Sequence, residues 1–283
     1  MDIVTTIKGI WQDPIFKESS VGLVPTMGAI HEGHLALIRK AKSDNKIVVV
    51  SIFVNPSQFD DSNDLINYPR DLDADLAVLK KEHVDLVYLP SVDELYPSGF
   101  DTWVDPGALG TKLEGIARPG HFRGVATIIT KLFNVIQPDR AYFGQKDGQQ
   151  VAVIRNLAID FNIPVEIIAV GTVRESDGLA YSSRNIQLTS QDRASAVLIY
   201  EGMSRALRLF KSGEKSVKTL IACVSETLLQ ELKEEQIEYV AIVDFNTFDQ
   251  LDYAKDPSLI LVAVRFGDTR LIDNLSLSQS TLG

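Results

Sequence analysis

The sequence predicts an α/β fold, a doubly wound parallel sheet followed by a second, smaller α+β domain. Up to about residue 175, short and continuously apolar runs alternate with stretches of helical periodicity. After Gly178 the pattern changes to two long amphipathic stretches followed by strand-like runs. The chain has 283 residues, 45% of them hydrophobic, which is enough to fill one large core or two modest ones.

In chain order, strands are expected near 21–25, 47–54, 85–89, 139–143 and 165–170. Val21, Leu23 and Val24 open the first, and the run 47–54 is apolar apart from Ser51, as a strand covered on both faces should be. Helices are expected between them, near 34–42, 71–82, 122–136 and 147–160. In the first of these, Leu35, Leu37, Ile38 and Ala41 recur at helical spacing. Beyond the join, 191–209 and 217–232 read as helices, and 237–245, 259–266 and a short 269–272 as strands. The expected domains are therefore 1–175 and 176–283. Ser176, Asp177, Gly178, Ser182 and Ser183 give the join the composition of a mobile loop.

A net charge of −10, with no run of lysine or arginine to offset it, stands against polynucleotide partners, and none is expected. The apolar run 47–54 is far too short to cross a bilayer, and Met1-Asp2-Ile3 opens without a basic segment, so a cytoplasmic protein is expected. Cys223 is the only cysteine, which rules out an internal disulfide and a cysteine-based zinc cluster. Its neighbours Leu220, Ile221, Val224 and Leu228 predict a buried, inert position.

The most informative stretch is 25–34, where a strand turns into a helix. His31 and His34 are three residues apart at the expected helix start, so both imidazoles face one way. Unpaired backbone N–H groups and the positive dipole end favour an anion there. Gly28 and Gly33 let backbone and ligand approach closely. After the next strand, Pro56 ends the run and presents Asn55 and Gln58, uncharged amides able to donate to a carboxylate and to accept from a hydroxyl.

Three later segments also carry chemistry. Residues 113–124 crowd Glu114, Arg118, His121 and Arg123 into a glycine-rich stretch, with Arg118 the stronger candidate for a ligand contact. In 144–150, Lys146 offers a compact positive charge and Asp147 an acceptor pair suited to ribose hydroxyls, with Gln150 one turn along from Lys146. Tyr181 to Asn185 places two hydroxyls and a guanidinium on the expected loop, a set that can close over phosphates. Asp71, Asp73 and Asp75 read as a solvated helix start rather than a metal cage, with Asp75 the one carboxylate that could join a Mg²⁺ ion carried by substrate phosphates. No residue is assigned as a metal ligand.

Taken together, MGAIHEGH (27–34), FVNPSQF (53–59), YPR (68–70), ARPGHFRGV (117–125), FGQKDGQQ (143–150) and DGLAYSSRN (177–185) closely resemble the pantothenate synthetase (pantoate:β-alanine ligase) family of the HxGH nucleotidyltransferase superfamily. The resemblance runs in the right order from about residue 20 to residue 190. It implies a Rossmann-like catalytic domain, a smaller C-terminal domain and a homodimer. It also implies that ATP, with Mg²⁺, activates (R)-pantoate as a bound adenylate, from which β-alanine displaces AMP. Met27, Gly28, His31, His34, Gly144, Lys146, Asp147, Val173, Ser182, Ser183 and Arg184 match ATP contacts, with His31, His34, Lys146 and Arg184 the catalytic set. Gln58 and Gln150 match the pantoate-holding glutamines, and Asn55 and Arg118 are placed beside them as substrate contacts. Tyr181 stands where the family commonly has methionine, and Gly148 where a bulkier residue is usual, so altered loop packing and a looser helix start are expected.

Two alternatives stay open. One is another member of the superfamily, a cytidylyltransferase or an aminoacyl-tRNA synthetase-like ligase; the acidic charge stands against the latter, and the paired Gln58 and Gln150 favour a small hydroxy acid. The other is a silent nucleotide sensor, which would need affinity without the full set of His31, His34, Lys146 and Arg184.

Overall fold

The computed structural model describes residues 1–16, 19–60 and 62–279. The chain divides into two compact units, Met1–Gly144 with Gln149–Val170, and Gln145–Gly148 with Gly171–Gly283.

The first unit runs β1 (Asp2–Val4), α1 (Ile7–Gln12), β2 (Val21–Thr26), α2 (Glu32–Asp44), β3 (Ile47–Ile52), α3 (Ser62–Ile66), α4 (Leu72–Lys81), β4 (Leu86–Tyr88), α5 (Val92–Leu95), α6 (Glu114–Ala117), α7 (His121–Ile136), β5 (Arg140–Gly144), α8 (Gly148–Asp160) and β6 (Glu166–Val170). All six strands are parallel, in the order β1-β4-β3-β2-β5-β6. Alternate residues feed two separate cores, which is why these strands read as continuous apolar runs. Leu23, Val49, Leu86, Ala141 and Phe143 pack beneath α1, α7 and α8 through Ile10, Phe133 and Ile154. Val24, Val48, Val50, Val87 and Tyr142 face the opposite side, under Leu35, Ile38 and Ala41 of α2 and Leu79 of α4.

Strand order reverses between β2 and β5, the place where doubly wound sheets bind ligands beyond their carboxyl ends. β2 leads into residues 27–34 and β5 into Gln145. The expected strands and helices of this unit are all present. The edge strand β1 and the short α1 carried no readable signal, because three residues of strand are too few to show alternation; β1 is fixed by pairing Ile3 with Val87.

The second unit contains a 3₁₀ turn at Gln145–Asp147, another at Ser183–Gln187, then α9 (Ser190–Lys211), α10 (Val217–Leu228) and the strands β7 (Ile237–Asp244), β8 (Ser258–Phe266) and β9 (Thr269–Leu277). The three strands form an antiparallel sheet in that order. Its core joins Ile199, Met203 and Phe210 of α9 to Leu220 and Val224 of α10 and to Ile260, Val262 and Leu277 of the sheet. Cys223 is buried and unpaired, as expected. The last strand is longer than the short 269–272 expected. Asp273 and Asn274 broke the apolar signal, while full pairing from Phe266 with Thr269 to Ser258 with Leu277 extends the strand to Leu277.

The segment whose composition is that of a mobile loop folds here as a hydrogen-bonded hairpin. Tyr181 N–H donates to Val173 O, Glu175 N–H to Leu179 O, and Arg193 of α9 pairs with both Glu175 and Asp177 at 2.7 and 2.8 Å. Gly178 is required at its tip: φ is +97°, and a Cβ would stand 2.4 Å from the Tyr200 ring.

Candidate active site

The start of α2 is capped by its own histidines. His31 is the N-cap, and its Nδ1 accepts the Gly33 N–H at 3.1 Å. His34, one turn on, reaches back: its Nδ1 accepts the His31 N–H at 3.3 Å. This is the capping-box arrangement, with imidazole nitrogens in place of the usual hydroxyl and carboxylate. A nitrogen that accepts a backbone N–H carries no proton, so each neutral ring holds its proton on Nε2. The rings lie 4.1 Å apart at 32°, so the two Nε2–H donors belong to one compact pair.

The turn that delivers this pair is itself held. Gly28 and the non-glycine Ala29 both have positive φ, +82° and +51°, a costly conformation for alanine. Asp75 of α4, 5% exposed, accepts the Ala29 N–H at 2.9 Å with one oxygen and the Ile30 N–H at 2.7 Å with the other. Asp71 caps α4 and Asp73 is exposed, so only Asp75 departs from the solvated helix start expected of this trio.

β2 and β3 pair in register, and Phe53 N–H donates to Thr26 O, so the turn after β3 lies beside the turn after β2. Asn55, 1% exposed, caps the 3₁₀ turn Pro56–Gln58. Its Oδ1 accepts from the Tyr96 hydroxyl at 2.9 Å and the Ser57 hydroxyl at 2.9 Å. The other end of the amide must then donate, and Nδ2 does so to Gln58 Oε1 at 3.0 Å and to Gly124 O at 3.2 Å. Gln58 is thereby left presenting Nε2, which donates to Met27 Sδ at 3.1 Å. Burial pushes the Tyr96 hydroxyl above its ordinary pKa, against the effect of its hydrogen bonds with Ser57 and Asn55, so it keeps the proton it donates.

The backbone of Gln58 is held as well. Its carbonyl accepts from His121 Nδ1 at 2.8 Å and from Arg118 Nη2 at 3.4 Å, while Arg118 pairs with Asp60 at 3.3 Å. Gly124 of α7 touches this turn directly; a Cβ there would be 2.3 Å from Ser57 O. Arg118 and His121 thus act on Gln58 within this structure. Gln149 of α8 holds the neighbouring segment, accepting the Glu114 N–H and donating to Leu109 O and Lys112 O. Gln150 follows it on α8, and Gly144 ends β5 with nothing near its Cβ position.

In the second unit, Lys146 and Asp147 lie on the 3₁₀ turn 145–147, Val173 precedes the hairpin, and Ser182 caps the turn carrying Ser183 and Arg184 by accepting the Arg184 N–H at 3.3 Å. The Lys146 ammonium makes no hydrogen bond or salt bridge among the described residues. Sequence reasoning missed Tyr96, Asp75 in its observed role, Arg174, Asp273 and Asn274. Each acts across more than 40 residues, so local spacing held no signal for them.

The profile of the pantoate-beta-alanine ligase family matches residues 2–276. A pantothenate synthetase of Roseiflexus castenholzii is 48% identical over 277 residues, covering 98% of this chain and 99% of that protein. The crystal structure of pantothenate synthetase from Thermus thermophilus is similar with a TM-score of 0.91 and 42% identity, over 98% of this chain and 100% of that one. The pantoate-beta-alanine ligase of Francisella tularensis, solved in complex with beta-gamma ATP and beta-alanine, is similar with a TM-score of 0.80 and 37% identity, over 98% of each chain.

Asp75→Asn is expected to lower stability by about 1.5–3 kcal/mol, because one of the two amide hydrogens would then face an NH₂ group in a buried position. Urea unfolding measures it, with faster exchange of the Ala29 and Ile30 amides as the local readout. An unchanged midpoint and unchanged exchange would contradict the role given to Asp75.

Proposed function

This chain belongs to the pantoate-beta-alanine ligase family, and from that premise we propose how its side chains carry out the ATP-dependent condensation of (R)-pantoate with β-alanine to pantothenate, AMP and pyrophosphate. The observation that carries the reading is the reciprocal cap of His31 and His34, which fixes two N–H donors at a helix start already suited to phosphate.

In the first step a pantoate carboxylate oxygen forms a bond to the α-phosphorus of ATP while the bond from that phosphorus to pyrophosphate breaks. The carboxylate is already ionised, so no base is needed. Positioning and charge stabilisation do the work, on the order of several kcal/mol. His31 and His34 donate from Nε2 to phosphate oxygens, and Lys146 and Arg184 supply full positive charge, with Ser182 and Ser183 as hydroxyl donors. Met27, Gly28, Gly144 and Val173 give backbone and apolar contacts to the nucleotide, and Asp147 accepts from the ribose hydroxyls.

In the second step the β-alanine amine attacks the acyl carbon, AMP leaves with the electron pair of the broken C–O bond, and the amine loses a proton. Activation is needed because oxide is a poor leaving group and AMP a good one. Gln58 and Gln150 hold pantoate. Gln58 meets it as a donor, through Nε2, since Asn55 already occupies Oε1. Asn55 and Arg118 serve the substrate through Gln58.

Mg²⁺ fits this reading as an ion that arrives with ATP. A Mg²⁺ ion carried by substrate phosphates and water needs only one or two protein carboxylates. When bound it neutralises phosphate charge.

We also propose functional domains of 1–175 and 176–283, with 145–148 and 171–175 grouped by packing in the second unit, a cytoplasmic location and a homodimer. No helix among the described residues is long and apolar enough to cross a membrane. Ile159 and Phe161 at the end of α8 and Trp11 on α1 are exposed apolar groups of the kind a second copy would cover.

Purified protein with Mg²⁺, ATP and pantoate is expected to release AMP only when β-alanine is added. His34→Ala should lower kcat by roughly 10²-fold or more through loss of one preorganised donor. β-Alanine-independent AMP release, or pyrophosphate release from CTP but not ATP, would overturn the reaction. In sedimentation velocity the chain should run as a dimer at micromolar concentration, and a monomer there would overturn the assembly.

A further inference from the structure

We propose that Asn274, locked in place by the ion pair of Arg174 with the buried Asp273, is a positioning residue for Lys146, and that these three residues couple the Lys146 turn to the 175–185 hairpin. The inference deepens the reading above and rests on it for the role of Lys146.

The geometry begins with the Asn274 amide. Asn274 lies on β9 and is 3% exposed. Its Nδ2 donates to Gln145 O at 2.8 Å and to Lys146 O at 2.7 Å, and its Oδ1 accepts from Gln145 Nε2 at 3.4 Å. Only the NH₂ end can satisfy two carbonyls, so the orientation of the amide is determined. The carbonyls belong to the one short turn that carries Lys146. Its backbone is thus pinned while its ammonium makes no hydrogen bond or salt bridge among the described residues. Gly148 favours this arrangement: a Cβ there would stand 3.2 Å from Asn274 Nδ2 and 3.2 Å from Gln145 Nε2, tight against both.

Asn274 is held in turn by its neighbour. The Asn274 N–H donates to Asp273 Oδ1 at 2.8 Å, and Asp273 takes both arms of Arg174, Nη1 to Oδ2 at 2.5 Å and Nη2 to Oδ1 at 3.1 Å. Arg174 Nη2 also reaches Asn274 O at 3.4 Å, and the Tyr200 ring lies 4.0 Å beneath the guanidinium. A planar fork with matched acceptors fixes orientation as well as charge. The same Arg174 Nη1 donates to Gly178 O at 3.1 Å, and residue 174 bridges Ala180 across the hairpin that leads to Ser182, Ser183 and Arg184. One guanidinium therefore sets the hairpin, and through Asp273 and Asn274 the Lys146 turn.

The test compares Asn274→Ala, the isosteric Asn274→Asp, Arg174→Lys and Lys146→Ala, each checked for folding by circular dichroism. Steady-state rates are measured with ATP varied at saturating pantoate and β-alanine, and then with β-alanine varied. Both Asn274 variants should lose roughly 10²-fold in kcat/KM for ATP, the scale of a misplaced contact group, with KM for β-alanine within about twofold. Arg174→Lys, which keeps the charge and loses the fork, should show a smaller loss in the same parameter. The double variant Asn274→Ala with Lys146→Ala should lose no more than Lys146→Ala alone. In hydrogen exchange, a non-hydrolysable ATP analogue should protect amides of 175–185 in the unsubstituted protein and not in Asn274→Asp.

Unchanged kinetics, losses that multiply in the double variant, lower thermal stability with normal kinetics of the folded fraction, or equal protection of 175–185 in both proteins would each overturn the proposal. If Asn274→Ala fails to fold, Arg174→Lys and the exchange experiment decide. If the unsubstituted protein releases no β-alanine-dependent AMP, the reaction assignment fails by itself, and calorimetric titration of the same variants with the analogue still judges the positioning.

Discussion

The first turn of an α-helix leaves backbone N–H groups without carbonyls to receive them, and in this protein the start of α2 answers two of those donors with imidazole nitrogens. That substitution governs the rest. A hydroxyl cap would satisfy the backbone equally well and be worth about 1 kcal/mol, but its own O–H rotates and stays close to the backbone, whereas an imidazole holds its N–H at a fixed place on the far side of a rigid ring. An imidazole used as a cap through Nδ1 is obliged to carry its proton on Nε2, so a stabilising contact and the donor proposed to meet phosphate become the same residue. Tautomer, ring orientation and helix start cannot be varied independently.

The surrounding structure serves to keep this coupling in register. Two consecutive positive φ angles aim the chain from β2 into α2, and the buried carboxylate of Asp75 offsets their cost by accepting both of the amides that the turn exposes. Parallel pairing of β2 with β3 then brings Gln58 beside Met27. Here the same logic recurs with amides: Tyr96 and Ser57 decide which end of Asn55 donates, and Asn55 decides which end of Gln58 does. In the second unit a third amide, Asn274, has its sense set by two carbonyls. In each case the group proposed to meet substrate is oriented by a neighbour with no alternative hydrogen-bonding pattern.

Much of this was legible in the sequence. Two-sided burial writes itself as continuous apolar runs, so β2 to β6 and the longer helices α2, α4, α7 and α8 were readable, whereas the short α3, α5 and α6 were not, and the glycines and histidines of 27–34 marked the strand-to-helix turn. Illegible were the elements defined by distant partners. β1 exists through its pairing with β4, and β9 runs on through Asp273 and Asn274 because β8 pairs with it. Asp75 looked like one of three solvated carboxylates until its oxygens met Ala29 and Ile30. The 175–185 segment looked mobile because its composition is that of a loop, while Arg193, a full turn into α9, ties it down. Composition reports local preference; it is silent about which side chain arrives from elsewhere.

The central claim is that both imidazoles at the start of α2 hold their proton on Nε2 because Nδ1 of each caps the helix. Imidazole ¹⁵N chemical shifts of the protein labelled in histidine, assigned with His31→Asn and His34→Asn variants, measure this directly at neutral pH. Both rings should show the protonated, pyrrole-type shift at Nε2 and the unprotonated, pyridine-type shift at Nδ1. Protonated Nδ1 in either ring, or fast exchange between the two tautomers, would contradict the account.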